Sequence, residues 1–439
     1  MKCPVRFFGE SLLHLTLLSF ILLPHCPCAA ATFYFTWGHA KGGLGALEID
    51  STGKFQQTSL SETTLEYPKK MGLSTDGTRL LVTSDQTAKA WLYALGTQHH
   101  LIKDIELEAK TSSVAADAAH ALVAASKGWF YWIDLANGDI LKRWNAKNGL
   151  KPPGRKGEEI FLLPGAPAAF VTFQKDSKEG DAQGSRMLVF DLNAFVPTHD
   201  LLLPRDHPNL HIPSALKEQG PSPELIFVSR RTNTLILSLD LYGALAFADL
   251  DAAYRGEWKN LKYVASSLPG TWGNSFPDRG LLFNTGGREF LLVSNASTNG
   301  GLVLADVATR TIRQEFPAPA GAETPVQIST TGKIATVVSG KIKSKTESGL
   351  SKGYEPGGDL LVFDPNPLAF GKPMTFEKIP LGTPLTRVQA VDPAHSSLLL
   401  LAAGGEEHPE WILFDLASHT ILSRLPALGP ISRIVAAPN

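Results

Sequence analysis

The sequence predicts an all-β fold built from repeated four-stranded units. Three observations carry this expectation. The apolar stretches are short, β-rich and bounded by turn residues, as at 78–83, 288–293 and 397–402. No stretch keeps a helical apolar period for three turns; Ser214–Gln219 has room for a single turn. A strand–turn–strand piece also recurs along the whole chain.

The copy at 129–144 shows that piece well. A strand ends in Asp134, Ala136-Asn137-Gly138 turns, and a second strand reaches Trp144. Other copies end their first strand at Asp191, Asp249, Asp306, Asp364 and Asp415, with degenerate ones at Asp50 and Leu95. A second piece precedes each copy, clearest at 71–77, 326–332 and 388–395. Together they give four strands per roughly 40 to 60 residues, the signature of a β-propeller. Seven units are continuous, at 67–107, 111–145, 158–203, 223–266, 279–316, 323–381 and 385–427. An eighth is split between 33–60 and 431–437. Joining those ends in one blade would close the ring and remove a free sheet edge. If 111–145 or 223–266 is not a true unit, seven blades remain. One closed array can absorb the chain, so a single domain is expected over 32–439.

Residues 1–31 read as a signal peptide. Lys2 and Arg6 precede an apolar run over 12–23, and Ala29-Ala30-Ala31 offers a cleavage site. The run is too short for a membrane span. The mature protein is therefore expected to be periplasmic or secreted. All three cysteines, Cys3, Cys26 and Cys28, fall in this segment. A mature chain from Thr32 would have no disulfide, thiol nucleophile or cysteine metal site. His25 and Pro27 precede the second and third cysteines, where lipid attachment wants a small residue. A formal net charge of -1 gives no general reason to expect nucleic acid as a partner.

The unit at 288–316 carries a specific likeness. Its strand ends Leu292-Val293-Ser294-Asn295, then come Gly301-Leu302-Val303-Leu304-Ala305-Asp306 and a strand to Phe316. This resembles one blade of the YVTN-type β-propeller repeat, and 72–84 is similar. The opening at 33–55, with Gly53-Lys54, resembles the start of propeller lactonases. The resemblance implies the fold and no single activity, because such repeats occur in hydrolases, redox subunits and surface proteins alike.

Candidate sites follow from the loops. Long insertions at 145–157, 174–187, 204–222, 266–278 and 340–359 share one face, while turns such as 74–77, 136–138 and 329–332 on the other are tight. Elaborated loops on a rigid scaffold are where binding usually lives. At the entry of the innermost strands, five positions before Ser74, Asp117, Ser229, Asn284, Ser329, Asp392 and Pro438, stand Lys69, Ser112, Glu224, Arg279, Thr324, Arg387 and Arg433. The remaining unit contributes Glu159. Four of these eight are basic, so the channel mouth is a candidate for a carboxylate, a phosphate or an acidic sugar. The alternative is a ring of salt-bridged or solvated side chains. Trp272, beside Gly270, Gly273 and Asn274, could stack on a sugar.

Other features favour plainer readings. His207 and His211, and His408 among Glu406, Glu407 and Glu410, are weak metal candidates in loops that do not fix ligand spacing; no metal is expected. The repeated strand-end aspartates suit backbone N–H bonds across their turns. Trp129, Trp132 and Trp144 occur in one unit only and do not support a quinone-binding blade. Asn295-Ala296-Ser297 is a glycosylation sequon. No G-x-S-x-G, H-E-x-x-H, Walker or dinucleotide motif occurs.

The leading reading is an exported, non-catalytic propeller that binds a ligand or partner through its long-loop face. That partner would be a small anionic or sugar-like molecule, or another exported protein, and no cofactor is expected. A lactonase-like hydrolase on a sugar lactone is the first alternative, with Glu159, Glu224 or a histidine activating water and a channel cation steadying the oxyanion. A redox subunit with a non-covalent cofactor is the second.

Overall fold

Side-chain alternation sets the architecture. In β1 (Ala31–Gly38), Phe33 and Phe35 point into one apolar cluster and Tyr34 into another, and all three are buried. Both faces of the strand are therefore covered. The structure is a computed structural model that describes residues 31–50, 52–96, 98–150, 156–174, 185–212, 214–266, 277–295, 301–317, 321–342, 354–391 and 397–438. Apart from Ala31, the expected leader and its three cysteines lie outside the described residues, as do Trp272 and Ala296-Ser297 of the sequon.

The strands run in antiparallel meanders. After β1 come β2 (Gly42–Ile49) and β3 (Phe55–Ser59). The next sheet holds β4 to β7 (Pro68–Leu73, Arg79–Ser84, Lys89–Ala94, His100–Glu106), and the one after it β8 to β11 (Thr111–Ala116, His120–Ala125, Trp129–Asp134, Ile140–Asn145). Then follow β12 to β15 (Gly157–Leu162, Ala168–Phe173, Arg186–Asp191, Val196–Leu202) and β16 to β19 (Pro223–Ser229, Thr234–Leu239, Ala244–Asp249, Lys262–Ala265). The sheet of β20 to β23 spans Pro277–Thr285, Arg288–Asn295, Gly301–Asp306 and Thr311–Pro317. A seven-stranded sheet holds β24 to β30 (Val326–Gln327, Ile334–Ile342, Tyr354–Asp364, Thr375–Ala390, Leu398–Ala403, Glu410–Asp415, Thr420–Pro426). Its 16-residue β27 pairs with β26 mainly through 375–380 and with β28 through 385–390. Finally, β31 (Ile431–Ala436) pairs with β1, so the two ends of the described chain share a sheet.

Seven of the eight apolar clusters draw on two successive sheets, and one of these joins β28 and β29 to β1 and β2; the eighth lies within the seven-stranded sheet, between its β24–β27 and β27–β30 parts. The innermost strands also touch in order: β4 meets β8, β8 meets β12, β12 meets β16, β16 meets β20, β27 meets β31 and β31 meets β4. Trp411 illustrates the packing. It is fully buried, meets the Phe35 ring edge-on at 4.9 Å, and donates its indole N–H to the Gln57 side-chain oxygen at 2.8 Å. Trp411→Ala is expected to cost about 3–5 kcal/mol, read as a lower denaturant midpoint.

Most of the strand-end aspartates are turn acceptors, as expected; Asp249 instead accepts from the side chains of Asn260 and Arg310. Asp134 accepts from the Ala136 N–H, Asp191 from Asn193 and Ala194, Asp364 from Asn366, and Asp415 from Ala417. Asp306 accepts from the Thr309 N–H and pairs with Arg288 and Arg313, while Asp249 pairs with Arg310. Helices are short, and the turn expected near 214 is the helix Ser214–Gln219.

Candidate anion site at the channel mouth

Each innermost strand takes one extra residue where it enters its sheet. Pro68 pairs with Ser84, yet Lys70 pairs with Thr83. The same slip occurs after Thr111, Gly157, Pro223, Pro277 and Leu385, between Ala322 and Val326, and around Ser432 in β31. A bulge of this kind twists the strand and re-aims the side chains beside it. Here charged residues from β4, β12, β16 and β31 come within one another's fields.

In the first such strand the bulge divides two adjacent lysines. Lys69 lies outward and pairs with Asp85 at 2.6 Å. Lys70 is half-buried and feels the charges of Arg433, Glu159, Glu158 and Glu224. Burial pushes its ammonium below the ordinary lysine range; Arg433 adds to this and the three carboxylates oppose it. Glu159 shows the reverse. Burial holds its carboxyl above the ordinary range against the pull of Lys70 and Arg433. Among the described residues, no carboxylate lies within 4.0 Å of the Lys70 ammonium and no cation within that distance of the Glu159 carboxylate.

On the other side of the axis the expected ring is partly neutralised. Glu323 stands between two guanidiniums, with Arg279 at 2.8 Å and Arg387 at 2.9 Å. Arg387 also donates to the Ser432 carbonyl at 3.2 Å. Burial lowers the Arg387 pKa and Glu323 resists this. Glu323 was not among the residues singled out by spacing; Thr324 was. Glu323→Gln should leave two guanidiniums facing each other and cost about 2 kcal/mol, measurable by urea denaturation.

A cavity of about 760 Å³ opens beside Lys70 on the long-loop face. Seven cations line it: Lys69, Lys70, Lys110, Lys127, Lys147, Lys156 and Arg433. Its two carboxylates are both occupied, Asp85 by Lys69 and Glu158 by Lys156 at 2.7 Å. Among the described residues the other five cations have no carboxylate within 4.0 Å. The walls are rigid. Thr111 donates its hydroxyl to the Ser84 carbonyl at 2.6 Å and Ser112 donates to the Gly157 carbonyl at 2.5 Å, tying three sheets together. Asn145 accepts from the Lys147 N–H at 2.9 Å and donates to the Lys127 carbonyl at 3.3 Å, which fixes the turns carrying those two lysines. Ammonium groups are point charges on flexible stems that suit phosphate, sulfate and carboxylate oxygens in many geometries. Such a bowl can hold a multiply charged anion.

The remaining candidates lie elsewhere. Glu224 is half-buried, within the field of Lys70 but not on the cavity wall. His207 is stacked on Tyr263 at 4.6 Å; its Nε2 donates to the Leu261 carbonyl and its Nδ1 accepts from the Asn209 N–H. Both ring nitrogens are thus engaged. His211 and His408 are exposed, and among the described residues no group of three His, Cys, Asp or Glu could hold a metal. A cavity of about 390 Å³ on the tight-turn face, lined by Arg230, Asp251, Tyr254 and neighbours, has one cation against one carboxylate. Spacing missed Lys70, Lys110, Lys127, Lys147 and Lys156; the last two sit in the 145–157 insertion, the signal that could have found them.

No family model matches the sequence, and no curated protein matches it. Solved structures do match over nearly the whole chain. The dihydro-heme d1 dehydrogenase NirN, in complex with DHE, is 12% identical with a TM-score of 0.66, covering 92% of this chain and 74% of NirN. AztD from Citrobacter koseri is 12% identical at a TM-score of 0.57, covering 93% and 98%. BamB from Moraxella catarrhalis is 12% identical at 0.52, covering 86% and 90%. The chain has a β-propeller fold. At these identities the likeness extends to the fold alone, and the YVTN or lactonase-like subfamily remains an expectation from the sequence.

Proposed function

We propose that this propeller is an exported binding protein that takes a multiply charged anion at its channel mouth, on the long-loop face. The supporting observation is the set of five cations, none with a carboxylate within 4.0 Å among the described residues, around one cavity of about 760 Å³. Seven cations against two carboxylates on one wall repel one another, and a bound anion relieves that repulsion. The proposal includes export through the 1–31 segment. It also includes a ring of eight blades, obtained when the seven-stranded sheet is divided at β27, with β31 and β1 closing it. A partner protein presenting an acidic segment would engage the same lysines.

Native mass spectrometry of protein purified from its own source tests this reading, together with titration of tripolyphosphate. The expected result is one anion per chain, released as ionic strength rises. A bare mass combined with no saturable anion binding at low salt would remove the proposal.

A further inference from the structure

A second cavity of about 260 Å³ adjoins the basic one, and the two share Lys69, Asp85 and Gln86. Its other walls are Gly38, His39, Tyr67, Pro68 and Ser432. Its character differs from that of its neighbour. The lysine-lined bowl has no aromatic wall among the described residues, whereas this one includes Tyr67, a residue 37% exposed. Tyr67 also has a φ of 50°, a conformation that bulky residues seldom adopt. An exposed ring held in such a backbone commonly marks a ligand contact. Around it stand the Gln86 amide, the Ser432 hydroxyl and the Asp85 carboxylate, which keeps accepting capacity beyond its one bond to Lys69. An aromatic face bordered by amide, hydroxyl and carboxylate fits a pyranose: the C–H face lies on the ring and the hydroxyls meet the polar rim.

From this juxtaposition we infer that the ligand is an acidic oligosaccharide. One sugar ring packs on Tyr67 and the carboxylates of the following units reach the ammonium groups around Lys70. This deepens, and rests on, the anion-binding reading above. Neither cavity alone would select such a molecule: the bowl supplies charge and the Tyr67 cavity supplies the ring contact.

Trigalacturonate and tripolyphosphate titrated into wild type, Tyr67→Asn and Tyr67→Phe test it. Asn tolerates the same backbone conformation, so the exchange removes the ring without forcing the turn. Tyr67→Asn should weaken trigalacturonate about tenfold and leave tripolyphosphate unmoved, while Tyr67→Phe keeps both affinities. Failure of trigalacturonate to saturate, or indifference of its affinity to Tyr67→Asn, overturns this inference while tripolyphosphate binding stands. If neither probe binds wild type, the anion reading falls with it.

Discussion

Replacing Lys70, Lys110 and Lys147 together by Gln is expected to weaken tripolyphosphate binding about 100-fold at low ionic strength. The three contribute unequally. Lys110 and Lys147 are exposed, so water and salt screen them and each is worth about 0.5–1 kcal/mol. Lys70 is half-buried on the cavity wall, where a charge-assisted bond is worth about 1.5 kcal/mol or more. Stability should move the other way. Among the described residues none of the three has a carboxylate within 4.0 Å, so the exchange breaks no close ion pair; at Lys70 it relieves the burial of an ammonium and the repulsion of Arg433, which outweigh the lost attraction of Glu159, Glu158 and Glu224. The melting temperature should hold or rise while affinity drops. Calorimetric titration and thermal melts on one preparation check both signs. A parallel loss of stability and affinity would instead mean that the lysines hold the fold.

Glu159→Gln is expected to act in the opposite sense, tightening tripolyphosphate binding about fivefold to tenfold at pH above the Glu159 titration. The exchange removes the negative charge that competes with the ligand for Lys70 and Arg433. Those two cations, on β4 and β31, and Glu158 beside it are the charged groups that act on Glu159. The pH dependence follows from the raised carboxyl. Folded Glu159 takes up its proton at a higher pH than it does unfolded, so its stabilising contribution is present below the ordinary carboxylate range. That contribution is lost as pH rises through the raised value. Protonated Glu159 resembles Gln. The affinity ratio of the variant to wild type should therefore shrink toward one as pH falls through that titration, and the ratio cancels the probe's own titration. A ratio that stays flat from alkaline to acid pH would place Glu159 outside the site's field.

The sheets were legible in the sequence because strand alternation and terminal aspartates are local signals. Asp134, Asp191 and Asp415 each cap the turn that follows them, so the repeat can be read without its neighbours. β27 was also anticipated in outline, since 323–381 and 385–427 meet inside it, although its continuity through both units was not. The site was only half legible. Counting back from the turns landed on Lys69, Arg279, Arg387 and Arg433, all at the correct end of the innermost strands. The bulges are invisible to counting, so Lys69 was named and its neighbour Lys70, which lies in the field of Arg433 and Glu159, was not. Glu323, which pairs with Arg279 and Arg387, lies far from both in sequence and near them only in the fold. Lys110, Lys127 and Lys147 come from three separate loops, and nothing short of the fold brings them together.

The most direct test of the central claim is calorimetric titration of tripolyphosphate into the wild-type protein and the Lys70/Lys110/Lys147→Gln variant, at low and at near-physiological ionic strength. The expected result is one site per wild-type chain, weakened by salt and about 100-fold weaker in the variant. No saturable heat for wild type at low ionic strength, or equal affinity in both proteins, would contradict an anion site at the channel mouth.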